Sequence, residues 1–286
     1  MSEEKPTQQR LRILTPLRRR HERAGGGGLR RGVYLLPSMF TMAAMFCGYA
    51  CIVHTLNGDY ATAAPFIGVA VVLDMLDGRI ARMTGSTSAF GVEFDSLADI
   101  VSFGIAPAIL SFGWGLQPLG RLGWAAGFLY VAAAAVRLAR FNIQSGTQDK
   151  RYFVGMPSPP AAGVVAATVF AYPAGFQGNM TALPVLALVA LLVVPALLMV
   201  STIRFRSFKT FDLQTRRSYA VLLIVALAIV LLAAHPQLSL VVLAYGYLSS
   251  AFIEMAWTRL RRGSRPAVAA ESGAETQDEP KHGERA

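Results

Sequence analysis

Asp74, Asp77, Asp95 and Asp99 stand close together in the sequence, with Glu93 between the two pairs. On helices, the spacing of three from Asp74 to Asp77 and of four from Asp95 to Asp99 puts each pair of carboxyls on one face. The flanking sequence is apolar, and charge inside such segments is costly enough that it marks function and faces protein or a water-filled cavity. Four carboxylates facing one another need a counter-charge. Arg79 and Arg82 sit one to two helical turns nearer the end of the segment than Asp74, so a hard divalent cation, Mg²⁺ or Mn²⁺, is the more economical partner. Two ions sharing carboxylates bind phosphates and polarise both the attacking and the leaving oxygen. The same acids also admit a metal-free salt-bridge network or a cation- or proton-coupled transporter. Against transport, the aspartates crowd one mouth, and no pair of broken helices recurs in corresponding halves.

Gly78, Gly85, Gly91 and Gly104 accompany the acids. Glycine in a membrane helix commonly serves close packing. Gly78 and Gly91, however, are adjacent or nearly adjacent to an acid, where a missing side chain lets a nucleotide or diphosphate approach the backbone. Arg82 at the same mouth can grip a phosphate through two nitrogens. Metal, arginine and bare backbone together describe a site for a lipid-linked diphosphate at the membrane interface.

The elements that must hold these residues follow from composition. Of 286 residues, 53% are apolar and only 15% charged, which excludes a soluble nucleic-acid binder and a disordered basic protein. Two cysteines are too few for a disulfide scaffold. Apolar runs near the length of a bilayer-spanning helix read as eight spans, about 34–54, 60–82, 95–115, 122–141, 158–177, 182–203, 218–234 and 237–258. Asn57-Gly58-Asp59, Gly175 to Asn179 and His235-Pro236 supply breaks between them. No cleavable-signal layout precedes the first run. The expected class is therefore all-α, a polytopic bundle. A basic arm occupies 1–32, the membrane domain 33–258, and a polar tail, expected to be disordered, 259–286. All of the 27 Lys and Arg except Arg121 fall on one side of this layout, which predicts both termini and the aspartate mouth in the cytoplasm. The arm sets topology or lies against anionic lipid headgroups.

The string Asp74-x2-Asp77-Gly78-x2-Ala81-Arg82-x8-Gly91-x3-Asp95-x3-Asp99 resembles the complete signature of the CDP-alcohol phosphatidyltransferases. In that family an alcohol hydroxyl attacks a CMP-linked lipid and CMP leaves. The resemblance implies that Asp74 and Asp95 bridge two metal ions, that Asp77 binds the first and Asp99 the second, and that Asp99 takes the proton of the incoming hydroxyl. It further implies CDP-lipid contacts at Gly78, Ala81, Arg82, Ser88 and Gly91. Pro37-Ser38-Met39-Phe40-Thr41 resembles the first-span segment that approaches the nucleotide, usually Pro-Asn-x-x-Thr; Ser38 departs from it and Thr41 keeps it.

Arg137-Leu138-Ala139-Arg140-Phe141-Asn142, with Phe153-x-Gly155-Met156-Pro157-Ser158-Pro159-Pro160, resembles the serine-using branch of that family. That likeness implies CDP-diacylglycerol and L-serine as substrates and a cell-membrane enzyme with its site facing the cytoplasm. Glycerol 3-phosphate and inositol remain open as acceptors. A serine carboxylate wants an arginine, which makes Arg137 and Arg140 candidates, and Asn142 offers both a donor and an acceptor. Positive charge ending a span is the plainer account of the arginines. Cys47 and Cys51 read as packing residues, the histidines lie away from the acids, and Glu254 is expected to pair with Arg259 or Arg261. Trp114, Trp124 and Trp257 fall at span ends, where an aromatic belt is expected. The last three spans suit dimer packing or a scaffold, a homodimer being the expectation; no nucleic-acid partner is expected.

Overall fold

A computed structural model of the chain describes residues 27–85, 88–144, 152–175, 181–201, 204–206 and 218–263. The basic arm up to residue 26 and the tail beyond Gly263 lie outside the described residues, as do the side chains of Glu254, Trp257, Arg259 and Arg261. Helix α1 (Gly27–Leu56) turns through Asn57–Asp59 into α2 (Tyr60–Thr84). Gly58 takes φ 74° in that turn, a backbone conformation in which glycine carries no steric cost. Asp59 caps α2, its Oδ1 accepting from Thr62 N at 3.2 Å. Bonds from Thr62, with a smaller contribution from His54, hold the Asp59 carboxyl below the ordinary carboxylate range.

A long third segment follows. It comprises α3 (Ala89–Asp99), a π-helical turn at Ile100–Ile105, α4 (Ala106–Ser111), a second π turn at Phe112–Leu116 and a 3₁₀ turn at Gln117–Leu119. Then come α5 (Arg121–Gln144), α6 (Ser158–Ala171), α7 (Ala182–Val200), α8 (Ser218–Ala234) and α9 (Pro236–Gly263). Two short strands, β1 (Tyr152–Val154) and β2 (Arg204–Arg206), pair antiparallel with Phe153 opposite Phe205. The expectation of an all-helical chain did not include this ribbon.

Among the described residues five segments are long and apolar enough to cross a membrane: 37–56, 60–84, 89–119, 121–143 and 182–200. Helix α6 is apolar but has 14 residues, about 21 Å of rise, short of a full crossing. It stops at Ala171 rather than near 177, and Gly175 beyond it has φ 75°. The third segment starts at Ala89, earlier than its apolar run, because Ser88 caps it: the Ser88 hydroxyl accepts from Gly91 N at 3.0 Å. Asp95 and Asp99 consequently sit in the second and third turns of α3, not in its first.

Small residues let the helices approach closely. α2 buries Ala63, Ala64, Ile67 and Ala70 and packs along α1 and α6. α1 meets the first π turn almost backbone to backbone, with Ser102 Oγ donating to Ala44 O at 3.0 Å. A Cβ on Gly48 would stand 2.7 Å from Ser102 Cα. Cys47 and Cys51 are free thiols buried in this core, as packing residues would be. At the opposite end from the aspartates, Tyr60 Oη donates to Gly113 O at 2.7 Å and Trp114 Nε1 to Tyr172 O at 2.7 Å. Trp114 is thus buried inside the bundle, whereas Trp124 is exposed as a belt residue would be. Helix α9 packs on α6, where the Tyr245 and Thr168 hydroxyls lie 2.9 Å apart.

Candidate active site

The α2–α3 hairpin brings the aspartates together. α2 ends where Gly85 adopts φ 62° and its N–H returns to Ala81 O. That cap and the Ser88 cap across the turn set the two helices side by side, with their acidic faces opposed. Carboxylate oxygens of Asp74, Asp95 and Asp99 lie within 4.8 Å of one another. Asp77, one turn along α2, is buried and sits slightly apart from this trio. Its Oδ2 accepts from the Thr41 hydroxyl of α1 at 2.8 Å. Thr41 Oγ1 also stands 3.1 Å from Pro37 O.

Among the described residues no lysine or arginine forms an ion pair with these four aspartates. Three half-buried carboxylates at this separation, all hard oxygen donors with no thiolate or imidazole among them, fit a divalent cation. Arg137 of α5 interacts electrostatically with Asp99 and Asp74 and with Tyr247 of α9. Arg137 Nη1 donates to Ser158 Oγ at 2.7 Å, and its Cζ lies 5.8 Å from the Phe141 ring centroid.

The other expected site residues divide into two groups. A Cβ on Gly78 would meet only the end of the Arg82 side chain, Nη2 at 3.8 Å, an ordinary contact, and Gly78 itself is half-buried. Arg82 is exposed, its Nε donating back to Gly78 O at 2.6 Å. Ala81 is half-buried beside it. Ser88 and Gly91 are engaged with each other in the α3 cap, so Gly91 N already has a partner. Of the three acceptor candidates, Arg137 interacts electrostatically with Asp99 and Asp74. Arg140 Nη1 donates to Val200 O at 3.1 Å and closes the end of α7. Asn142 Nδ2 donates to Ser96 Oγ at 2.9 Å, tying α5 to α3 between Asp95 and Asp99. Ser96 and Ser158 are partners that the spacing of the acids gave no sign of, although Ser158 stood inside the proline-rich string.

These features define a polytopic membrane protein with a carboxylate cluster, suited to a metal ion, at one mouth of its helical bundle. The chain belongs to the CDP-alcohol phosphatidyltransferase family, whose model matches residues 34–200, and it is therefore a membrane transferase. It is 36% identical over 200 residues to the CDP-diacylglycerol–serine O-phosphatidyltransferase of Helicobacter pylori, covering 69% of this chain and 83% of that protein. It is 42% identical over 140 residues to the protein of the same name from Mycobacterium leprae, covering 46% of each. An archaetidylserine synthase of Methanothermobacter thermautotrophicus is 32% identical over 164 residues, 57% of this chain and 68% of that protein.

Proposed function

We propose that the chain transfers the phosphatidyl group of CDP-diacylglycerol to the hydroxyl of L-serine, giving phosphatidylserine and CMP. The observation that carries this reading is the convergence of Asp74, Asp95 and Asp99 beside Arg137. The names of the relatives point the same way.

Asp74 and Asp95 would be shared by two ions, with Asp77 completing one site and Asp99 the other, on the pattern of the family signature. Bound there, Mg²⁺ or Mn²⁺ neutralises the diphosphate and eases loss of the nucleotide phosphate. Arg82, beside Gly78, reaches the diphosphate from the cytoplasmic side, with Ala81 leaving room. Ser88 and Gly91 support that cradle through the α3 cap. Thr41 sits behind Asp77 and fixes the direction of its free oxygen. Asp99 accepts the serine hydroxyl proton as the oxygen attacks the phosphorus on the diacylglycerol side. The new P–O bond forms as the bond to the CMP phosphate breaks, and CMP leaves. Positioning and charge neutralisation account for most of the rate, as in phosphoryl transfer generally. Arg137 holds the serine carboxylate, while Arg140 and Asn142 keep α5 in place against α7 and α3.

In this reading the eight helical segments all cross or enter the cell membrane, both termini are cytoplasmic, and the site opens to the cytoplasm. The basic surface on that side also meets anionic lipid, and the last helices give room for a homodimer. Purified protein supplied with CDP-diacylglycerol and an acceptor panel tests the assignment. Metal-dependent CMP release is expected with L-serine and not with glycerol 3-phosphate or inositol. CMP release with either of those instead leaves the family chemistry standing and overturns serine. Metal-dependent ion flux in vesicles without CMP release would overturn the transfer reading altogether.

A further inference from the structure

The proline-rich string at the start of α6 has so far no part in the reaction, yet it contains a fully buried hydroxyl. Ser158 is 0% exposed and opens α6, behind Pro157 and ahead of Pro159 and Pro160. Pro157 occupies the N-cap and Ser158 the first helical position, followed by two prolines that offer its oxygen no N–H. Here the Ser158 oxygen accepts from Arg137 Nη1 at 2.7 Å, across 21 residues of sequence. A buried hydroxyl committed to one guanidinium nitrogen is an orienting contact, because arginine carries five donors in a rigid planar fork. Phe141 stands against the same guanidinium, 5.8 Å from its ring centroid to Cζ, and limits the plane it can adopt. Held by Ser158 at one nitrogen and by Phe141, the fork has further donors, and it interacts electrostatically with Asp99, Asp74 and Tyr247.

The position of Ser158 is itself fastened. Gly155 has φ 86°, and a Cβ there would stand 2.5 Å from Met199 O. Met156 N donates to Leu198 O at 2.9 Å, and Pro157 is extended at φ −63° and ψ 147°. The segment entering α6 is therefore pinned to the end of α7, and the pair Pro159-Pro160 stiffens the first turn of α6. This is more fixation than a loop needs for connectivity, and its product is the placement of one hydroxyl.

We propose that Ser158 is a positioning residue for the acceptor: it aims the Arg137 fork so that the carboxylate of an amino-acid alcohol binds beside Asp99 with its hydroxyl toward the phosphorus. The inference rests on the serine reading and names what would confer preference for an acceptor bearing a carboxylate. An α-amino acid alcohol fits because its carboxylate and hydroxyl are separated by only two carbons, the reach from an arginine to a neighbouring base. Ethanolamine has the hydroxyl and ammonium without the carboxylate, so Arg137 offers it nothing.

The test is steady-state kinetics on the full-length protein in mixed micelles, with L-serine and ethanolamine as acceptors. Ser158→Ala is expected to raise the KM for serine about tenfold, the scale of one lost hydrogen bond to a charged group. The KM for CDP-diacylglycerol stays put, and the serine-over-ethanolamine preference shrinks by the same factor. Ser158→Cys, closer in volume, follows Ser158→Ala and guards against a packing defect. In an Arg137→Gln background, Ser158→Ala produces no further change in serine KM. An unaltered serine KM in both Ser158 variants overturns the inference, as does a loss of kcat at constant KM or an additive loss in the Arg137→Gln background. Absence of serine-dependent CMP release from the wild-type protein is the distinct outcome that removes the serine reading itself.

Discussion

At the scale of the residue, the site separates carboxylates that share one space from a carboxylate held by a neighbour. Asp74, Asp95 and Asp99 meet directly, whereas Asp77 is buried and bonded to Thr41 of α1. A hydroxyl that occupies one oxygen of a ligand carboxylate fixes where the other oxygen points, and such outer partners commonly tune metal affinity by ten- to a hundredfold. Thr41→Val, nearly isosteric, is therefore expected to weaken Mn²⁺ binding about tenfold, read by the loss of free-ion EPR signal on titration. Thr41→Ser keeps the donor and should bind as the wild type does; equal affinity in the valine variant would show that Thr41 does not act through Asp77. The pairing of the aspartates along each helix was legible in sequence, because i,i+3 and i,i+4 neighbours share a face whatever the tertiary fold. The Thr41–Asp77 contact was not, since it joins residues 36 apart and exists only once α1 and α2 pack. Ser158 escaped for the same reason: its partner lies on another helix.

At the scale of the element, Asp99 is held in place by the chain just beyond it. α3 gives way at Ile100 to a π turn, in which the widened helix carries Ser102 against α1. Such turns are rare and cluster at functional sites, and here one directly follows a proposed catalytic carboxylate. The contact leaves no room for a side chain on Gly48, where a Cβ would meet backbone Cα of Ser102 at 2.7 Å. Gly48→Ala should destabilise the detergent-solubilised protein by about 1–3 kcal/mol, the usual cost of overpacking, and lower its midpoint of thermal unfolding. Gly68→Ala is the control, since nothing lies within 4 Å of a Cβ there; it should be neutral or slightly stabilising through helix propensity. Equal stability of the two variants would mean that α1 and the π turn are not locked together. Hydropathy located the five segments long enough to cross a membrane among the described residues, because apolar length is a property of the local sequence. The π turns left no such trace, and the true start of α3 depended on a single capping hydroxyl, that of Ser88.

At the scale of the whole molecule, the strongest constraint is the one-sided distribution of charge. On the proposed eight-segment layout, all of the 27 Lys and Arg but Arg121 would fall at one end, the end at which the four aspartates would open. A membrane enzyme that binds a cytosolic nucleotide diphosphate and a water-soluble acceptor needs its site on the side where both are supplied. Under the proposed layout the positive-inside bias would put the basic end in the cytoplasm. Helix α2 tests this arrangement well: its 25 residues rise about 38 Å, enough to place its two ends on opposite faces of a bilayer. Asn57 in the turn before α2 and Thr84 at its far end are both exposed. The native thiols, Cys47 and Cys51, are buried and should stay silent toward a membrane-impermeant maleimide. On intact cells the reagent is expected to label Asn57→Cys, and to label Thr84→Cys only after the membrane is permeabilised. The opposite pattern would turn the aspartate mouth away from the cytoplasm and remove its access to CDP-linked substrate. Labelling of both positions from outside would mean that α2 does not span, and the bundle would need to be laid in the membrane some other way.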